Sequence, residues 1–314
     1  MTQTMKKFLL KVFFQNKRYL IVFIPFFFIN MWFFAVFYSL SKIPYYTVSI
    51  GSGTDLVGSS VYFVHGYNGN DSQFHDMIKY LNSTDYFNRF PNINITPLFF
   101  NYYEKYSALQ ITKTQIHNIE GGISTYAGDF FEQLCRTHGS ATQISIVAHS
   151  LGGLIVREML RLYRQKLEQV GIVVVRVITL GTPHFGTVML NHPLIRQLLW
   201  LIGLDSKTLI AESITPGSSF LNQLNENPST YMRGIDWYFV AGVSLHPLVF
   251  SFQEIIFGGV PCDGIVDCES ALAIGLPFQP VARIILQKDH DQLIHDPQSH
   301  ESYEYIEKWL SVDY

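Results

Sequence analysis

From Val61 onward, short apolar runs of strand length alternate with stretches of helical periodicity. The runs Val61–His65, Ile93–Phe100, Gln143–Val147, Ile172–Leu180, Trp237–Val243 and Ala282–Gln287 predict strands. Between them, Phe74–Leu81, Ile123–Cys135 and Leu151–Leu167 predict helices. In the last of these, Leu154, Ile155, Met159, Leu162 and Tyr163 fall at spacings that give one apolar face. Ile172–Leu180 is apolar at every position except Arg176 and Thr179, the composition of a strand covered on both faces. Strands that alternate with helices imply an α/β fold with a doubly wound, mostly parallel sheet. No internal repeat interrupts this order.

Two stretches break the alternation. From Tyr19 to Leu40 the chain is apolar and aromatic apart from Asn30 and Ser39, long enough for a hydrocarbon layer that needs about 20 residues. Lys6, Lys7, Lys11, Lys17 and Arg18 precede it and no acidic residue does, so the positive-inside bias leaves the N-terminus cytoplasmic. The expected organisation is therefore a basic cytoplasmic segment over 1–18, a single-pass transmembrane signal-anchor over 19–40, a linker over 41–60 and one domain over 61–314. That domain would lie on the non-cytoplasmic side of the membrane. A cleaved signal peptide is the alternative, against which stand the length of the apolar run and the bulky Phe37-Tyr38-Ser39-Leu40-Ser41. The second break, about 188–213, holds the amphipathic run His192–Ile202. It reads equally as a lid over a site and as an ordinary packed helix.

Composition narrows the partners. The formal charge is −3, from 22 Lys and Arg against 25 Asp and Glu. Without the five basic residues before the apolar run, 17 face 25, a net −8. An acidic domain has no general electrostatic reason to bind nucleic acid, and no basic cluster argues otherwise. Of three cysteines, Cys262 and Cys268 are spaced for a small disulfide in an oxidising compartment or stand as two buried thiols.

The chemistry centres on Ile144-Ser145-Ile146-Val147-Ala148-His149-Ser150-Leu151-Gly152-Gly153, a β-branched run that ends on a serine among small residues and leads into a helix. It reads as a nucleophile elbow, in which the serine tops a sharp, strained strand-to-helix turn. Ala148 and Gly152 are expected to pass close to each other there. The same order of segments resembles the α/β-hydrolase lipases and esterases. Val61-Tyr62-Phe63-Val64-His65-Gly66-Tyr67 is similar to their strand ending in His-Gly. Ile178-Thr179-Leu180-Gly181-Thr182-Pro183-His184-Phe185-Gly186-Thr187 is similar to the stretch after their next strand. Gly217–Asn225 is similar to the segment after their lid, and Cys262-Asp263-Gly264-Ile265-Val266 to the one carrying their acid. More loosely, the anchored arrangement resembles the inositol-deacylases of glycolipid anchors.

The resemblance implies an α/β-hydrolase fold with Ser150 as nucleophile, since a serine hydroxyl needs a base oriented by a carboxylate. Partners follow in the order serine, acid, histidine. Asp263 is the expected acid with Asp267 as its rival, and His290 the expected base with His295 as its rival. His295 is expected to begin or enter a terminal helix. His65, His149 and His184 are expected to orient loops or line a pocket. The N–H groups of Leu151 and, by resemblance, Tyr67 would form the oxyanion hole. The mechanism needs no cofactor and no metal; some bacterial lipases hold a structural calcium near the histidine loop, for which Asp289, Asp291 or Asp296 are the candidates here, although acidic residues in a surface loop are usually just solvated. The expected substrate is a carboxylic ester, of a lipid by preference given the membrane segment. An acyltransferase using the same acyl-serine, and a non-catalytic binding protein on this fold, are the alternatives.

Overall fold

A computed structural model describes residues 60–311 except 89–95, 109–114, 116–117, 140–141, 190–207, 247–252 and 254–255. The apolar run Tyr19–Leu40, the linker up to Ser59 and most of the 188–213 insertion lie outside the described residues. Among the described residues no helix is long and apolar enough to cross a membrane.

The strands are β1 (Ser60–Val64), β2 (Thr96–Phe100), β3 (Thr142–His149), β4 (Ile172–Leu180), β5 (Asp236–Gly242) and β6 (Ala282–Leu286). Helices α1 (His75–Ser83), α2 (Glu104–Ala108), α3 (Ile123–Thr137) and α4 (Leu151–Gln169) are followed by α5 (Leu209–Ser213), α6 (Ser219–Glu226) and α7 (Ser229–Met232). Two more, α8 (Cys268–Ala271) and α9 (Glu301–Leu310), flank β6. The described strands form one sheet in the order β2-β1-β3-β4-β5-β6, parallel at every pairing.

The predicted strands sit where the apolar runs placed them, within a few residues at each end. His65 and Val243 fall just outside β1 and β5, and β3 runs on to His149. The short helices α2, α5, α7 and α8 were not foreseen, because four or five residues are too few to establish a helical period. His295 neither begins nor enters a helix. It lies in the loop before α9, which starts six residues later at Glu301.

Strand side chains alternate between two apolar layers. Tyr62, Val64, Ile146, Trp237 and Phe239 pack with α3 and α4 on one face. Val61, Phe63, Val147, Tyr238 and Val240 pack with α1 and α9 on the other. Alternating faces that are both buried explain why these strands read as nearly continuous apolar runs. Between Ile144 and Ser145 the β3–β4 register skips Val175, which brings Arg176 opposite Ser145. Buried Arg176 then reaches Asp236 at 3.5 Å, its guanidinium lying over the Tyr238 ring. All strands run the same way, so the loops after β1, β3, β4, β5 and β6 converge on one edge of the sheet. In open α/β sheets, that carboxyl edge is where ligands bind.

Candidate active site

Ser150 occupies the turn between β3 and α4 with φ 53° and ψ −124°, a left-handed conformation that a residue other than glycine adopts only when its surroundings enforce it. Its N–H donates to the Leu180 carbonyl at 2.9 Å, and the Thr182 hydroxyl donates to its carbonyl at 3.0 Å. These bonds fix the elbow from the neighbouring strand. The need for a small residue at Gly152 has a different origin from the one expected. A Cβ there would lie 2.5 Å from the Val64 carbonyl oxygen and 2.6 Å from that of His65, so α4 packs on the end of β1.

The acid loop follows from its own sequence. Gly264, at φ 101°, lets the chain turn so that the N–H groups of Ile265 and Val266 both donate to Asp263 Oδ1, at 2.9 and 2.7 Å. Oδ2 is left facing His290. His290 Nδ1 donates to it at 2.7 Å, and His290 Nε2 lies 2.9 Å from Ser150 Oγ. A carboxylate only accepts, so the proton sits on Nδ1 and the Nε2 lone pair faces the serine hydroxyl. The His290 backbone is held as well: its N–H donates to the Asp263 carbonyl at 3.0 Å, and His149 Nε2 donates to its carbonyl at 3.0 Å.

Structure thus brings Ser150, His290 and Asp263 together and leaves the rivals elsewhere. Asp267 caps α8, accepting the Ser270 N–H at 2.8 Å, and burial raises its carboxyl above the usual range. His295 is exposed and pairs with Asp76 of α1 at 2.7 Å. Asp296 pairs with Lys288 at 2.9 Å. Cys262 and Cys268 are buried free thiols, and burial pushes the Cys262 thiol up to about 12. Among the described residues no cluster of acids, histidines or cysteines is arranged to hold a metal ion.

Three histidines support the loops, as anticipated for His65, His149 and His184. Each is buried, and burial holds each below the ordinary imidazole range. Buried His184 accepts from Arg157 at Nδ1 and donates from Nε2 to Thr179, both at 3.2 Å, tying the loop after β4 to α4. The loop is also joined to the acid segment, where Thr187 Oγ1 donates to the Ile265 carbonyl and Ser270 Oγ to that of Gly186. Thr182 and Thr187 lie in the stretch that carries the resemblance, but no motif gives their contacts and none includes Ser270, because each acts through a contact with a distant segment.

The three side chains open on a cavity of about 560 Å³ whose walls are mostly apolar. Tyr67, Leu151, Pro183, Ile214, Ile265 and Val266 contribute to them. Met189 and Ala211, at the two described ends of the 188–213 insertion, line it as well. Leu151 is the first residue of α4, so the helix does not use its N–H, and the helix dipole favours negative charge there.

The chain is similar in structure to the mature lipase BlEst2 of Bacillus licheniformis, with TM-score 0.54 and 18% identity over 83% of this chain and 96% of that one. It is similar also to phospholipase PlaB of Legionella pneumophila, with TM-score 0.54 and 16% identity over 81% of this chain and 60% of that one. At these identities the likeness concerns the fold, which is that of the α/β-hydrolases. No curated protein matches. The family model described as Putative serine esterase (DUF676) matches residues 60–265 of the 314, from β1 through the loop that carries Asp263, so the chain belongs to that family of ester hydrolases.

Proposed function

We propose that this protein hydrolyses carboxylic esters of lipids through an acyl-serine intermediate, with Ser150 as nucleophile, His290 as base and acid, and Asp263 as the orienting carboxylate. The observation that carries the proposal is the unbroken chain Ser150 Oγ, His290 Nε2, His290 Nδ1 and Asp263 Oδ2, with gaps of 2.9 and 2.7 Å, opening on an apolar cavity.

In the first half-reaction the Ser150 proton passes to His290 Nε2 as Oγ bonds to the ester carbonyl carbon. The carbonyl π pair moves onto oxygen. The resulting oxyanion faces the N–H groups of Leu151 and Tyr67, donors of a kind worth about 10²–10³ each in rate. Collapse breaks the bond to the alkoxy oxygen, which takes the proton from His290 and leaves as the alcohol. Water then repeats the sequence at the acyl-serine and releases the acid. Asp263 stays ionised throughout and stabilises the imidazolium.

Lipid esters are favoured over short soluble ones because the cavity wall is apolar, Met189 and Ala211 at the described ends of the insertion included. The 22-residue apolar run Tyr19–Leu40, with five basic residues ahead of it, supports a membrane anchor with the hydrolase on the non-cytoplasmic side. The test is labelling with an alkyl fluorophosphonate and turnover of esters of graded chain length. Loss of label and turnover in Ser150→Ala, with rates rising toward long chains, is expected. Undiminished turnover in Ser150→Ala overturns the mechanism, and a preference for acetate esters overturns the substrate class.

A further inference from the structure

The carbonyl oxygen of Gly66 receives three donors: the Tyr102 hydroxyl at 2.6 Å, His65 Nδ1 at 2.8 Å and the Gly69 N–H at 3.1 Å. A carbonyl has two lone pairs, so this one is saturated. The peptide it belongs to is the Gly66–Tyr67 unit, whose other polar group is the Tyr67 N–H. A peptide unit is planar and trans, with its C=O and N–H pointing in opposite directions. Whatever fixes the Gly66 oxygen therefore fixes the direction of the Tyr67 N–H. The unit lies against the nucleophile, since a Cβ at Gly66 would be 2.9 Å from Ser150 Cβ and from His149 Nδ1.

We infer that Tyr102 is a positioning residue that aims the Tyr67 N–H at the oxyanion, acting through the Gly66 carbonyl; this rests on the serine-esterase mechanism proposed above. Tyr102 is suited to the task because it is itself immobile. It is 1% exposed, stacks on the His65 ring at 4.0 Å between centroids, and packs against Phe100 and Tyr126. Its hydroxyl is also 3.2 Å from the His65 carbonyl, and its one proton serves the shorter contact. Burial raises the phenol well above its ordinary range, which keeps its proton available to donate. The strut comes from the neighbouring strand, since Tyr102 lies two residues beyond β2, which pairs Phe100 with Val64. A second tyrosine steadies the same turn: Asn68, in the left-handed region at φ 58°, donates its N–H to the Tyr103 hydroxyl at 3.3 Å.

The test uses the full chain and three variants. Tyr102→Phe keeps the ring and removes only the donor. Its kcat on a p-nitrophenyl ester should fall about tenfold, short of the loss expected for deleting an oxyanion donor outright, with KM within about twofold. An alkylboronic acid, whose adduct with Ser150 places an oxygen in the oxyanion site, should bind about tenfold more weakly, in step with kcat. The matching alkyl alcohol, which fills the cavity without adding to Ser150, should bind unchanged. Tyr106→Phe, which removes a buried hydroxyl bonded to Asp129 at 2.6 Å, should keep full kcat. A wild-type kcat in Tyr102→Phe, or equal weakening of boronic acid and alcohol, overturns the inference. Should Tyr102→Phe not fold, His65→Phe keeps a ring, removes the second donor and must show the same split between kcat and KM, failing which the inference falls. Activity surviving in Ser150→Ala would instead bring down the esterase mechanism itself.

Discussion

Replacing Gly152 by alanine tests how closely the elbow is packed. The new Cβ would stand 2.5 Å from the Val64 carbonyl oxygen, 2.6 Å from that of His65 and 3.0 Å from the Val64 carbonyl carbon. Carbon–oxygen contacts rarely fall much below about 3.3 Å, so α4 and the end of β1 must separate by roughly 0.7 Å. No side chain can rotate away, because all three atoms are backbone. Overpacking of this kind costs about 1–3 kcal/mol. At roughly 2–4 °C per kcal/mol for a domain of this size, Tm should fall by about 2–12 °C. Ser150 stands at the N-terminus of the displaced helix. Its 2.9 Å contact with His290 would lengthen toward about 3.6 Å, beyond hydrogen-bonding range. A displacement of this size costs up to about 10² in kcat. Thermal unfolding and ester turnover of Gly152→Ala are read beside Gly139→Ala, whose added Cβ meets nothing within 4 Å. Unchanged Tm and kcat in Gly152→Ala would refute the argument that α4 bears on the end of β1.

Asp263→Asn should lower kcat by about 10⁴, whereas Asp267→Asn and His295→Ala should leave it nearly intact; the reverse order in steady-state kinetics would move the acid and base assignments. Combining Asp263→Asn with Ser150→Ala should cost little beyond Ser150→Ala alone, because residues that act as a unit do not contribute additively, and a multiplicative loss would contradict that. Stability should fall below neutral pH. His65, His149 and His184 are held neutral by burial, while in the unfolded chain they titrate near 6.5. The unfolded chain thus binds more protons below that pH, so stability is full above about pH 7 and is lost as pH drops through 6.5, by up to ~1.4 kcal/mol per unit for each histidine. A urea midpoint as high at pH 5.5 as at 7.5 would exclude this.

The sequence by itself determined the fold class and the serine. Strands buried on both faces must be almost continuously apolar, so β1, β3, β4 and β5 were legible as runs, and the parallel sheet followed from their alternation with helices. The elbow was legible because its requirement is local: an apolar strand, a serine and small neighbours in one stretch. Asp263 and His290 were legible by resemblance and chain order, but their rivals stayed open. Asp263 and Asp267 are four residues apart, and His290 and His295 five, so the pattern that favours Asp263 and His290 could not exclude their rivals. Tertiary structure separates them by direction. The turn at Gly264 gives two N–H groups to one oxygen of Asp263 and turns the other toward His290, while Asp267 faces its own helix. Only tertiary structure assigned Gly152 to the end of β1, Tyr102 to the Gly66 carbonyl and His149 to the His290 backbone. Each of these joins a loop to a strand end or loop distant in the chain, and the contact exists only because parallel strands deliver their loops to one edge.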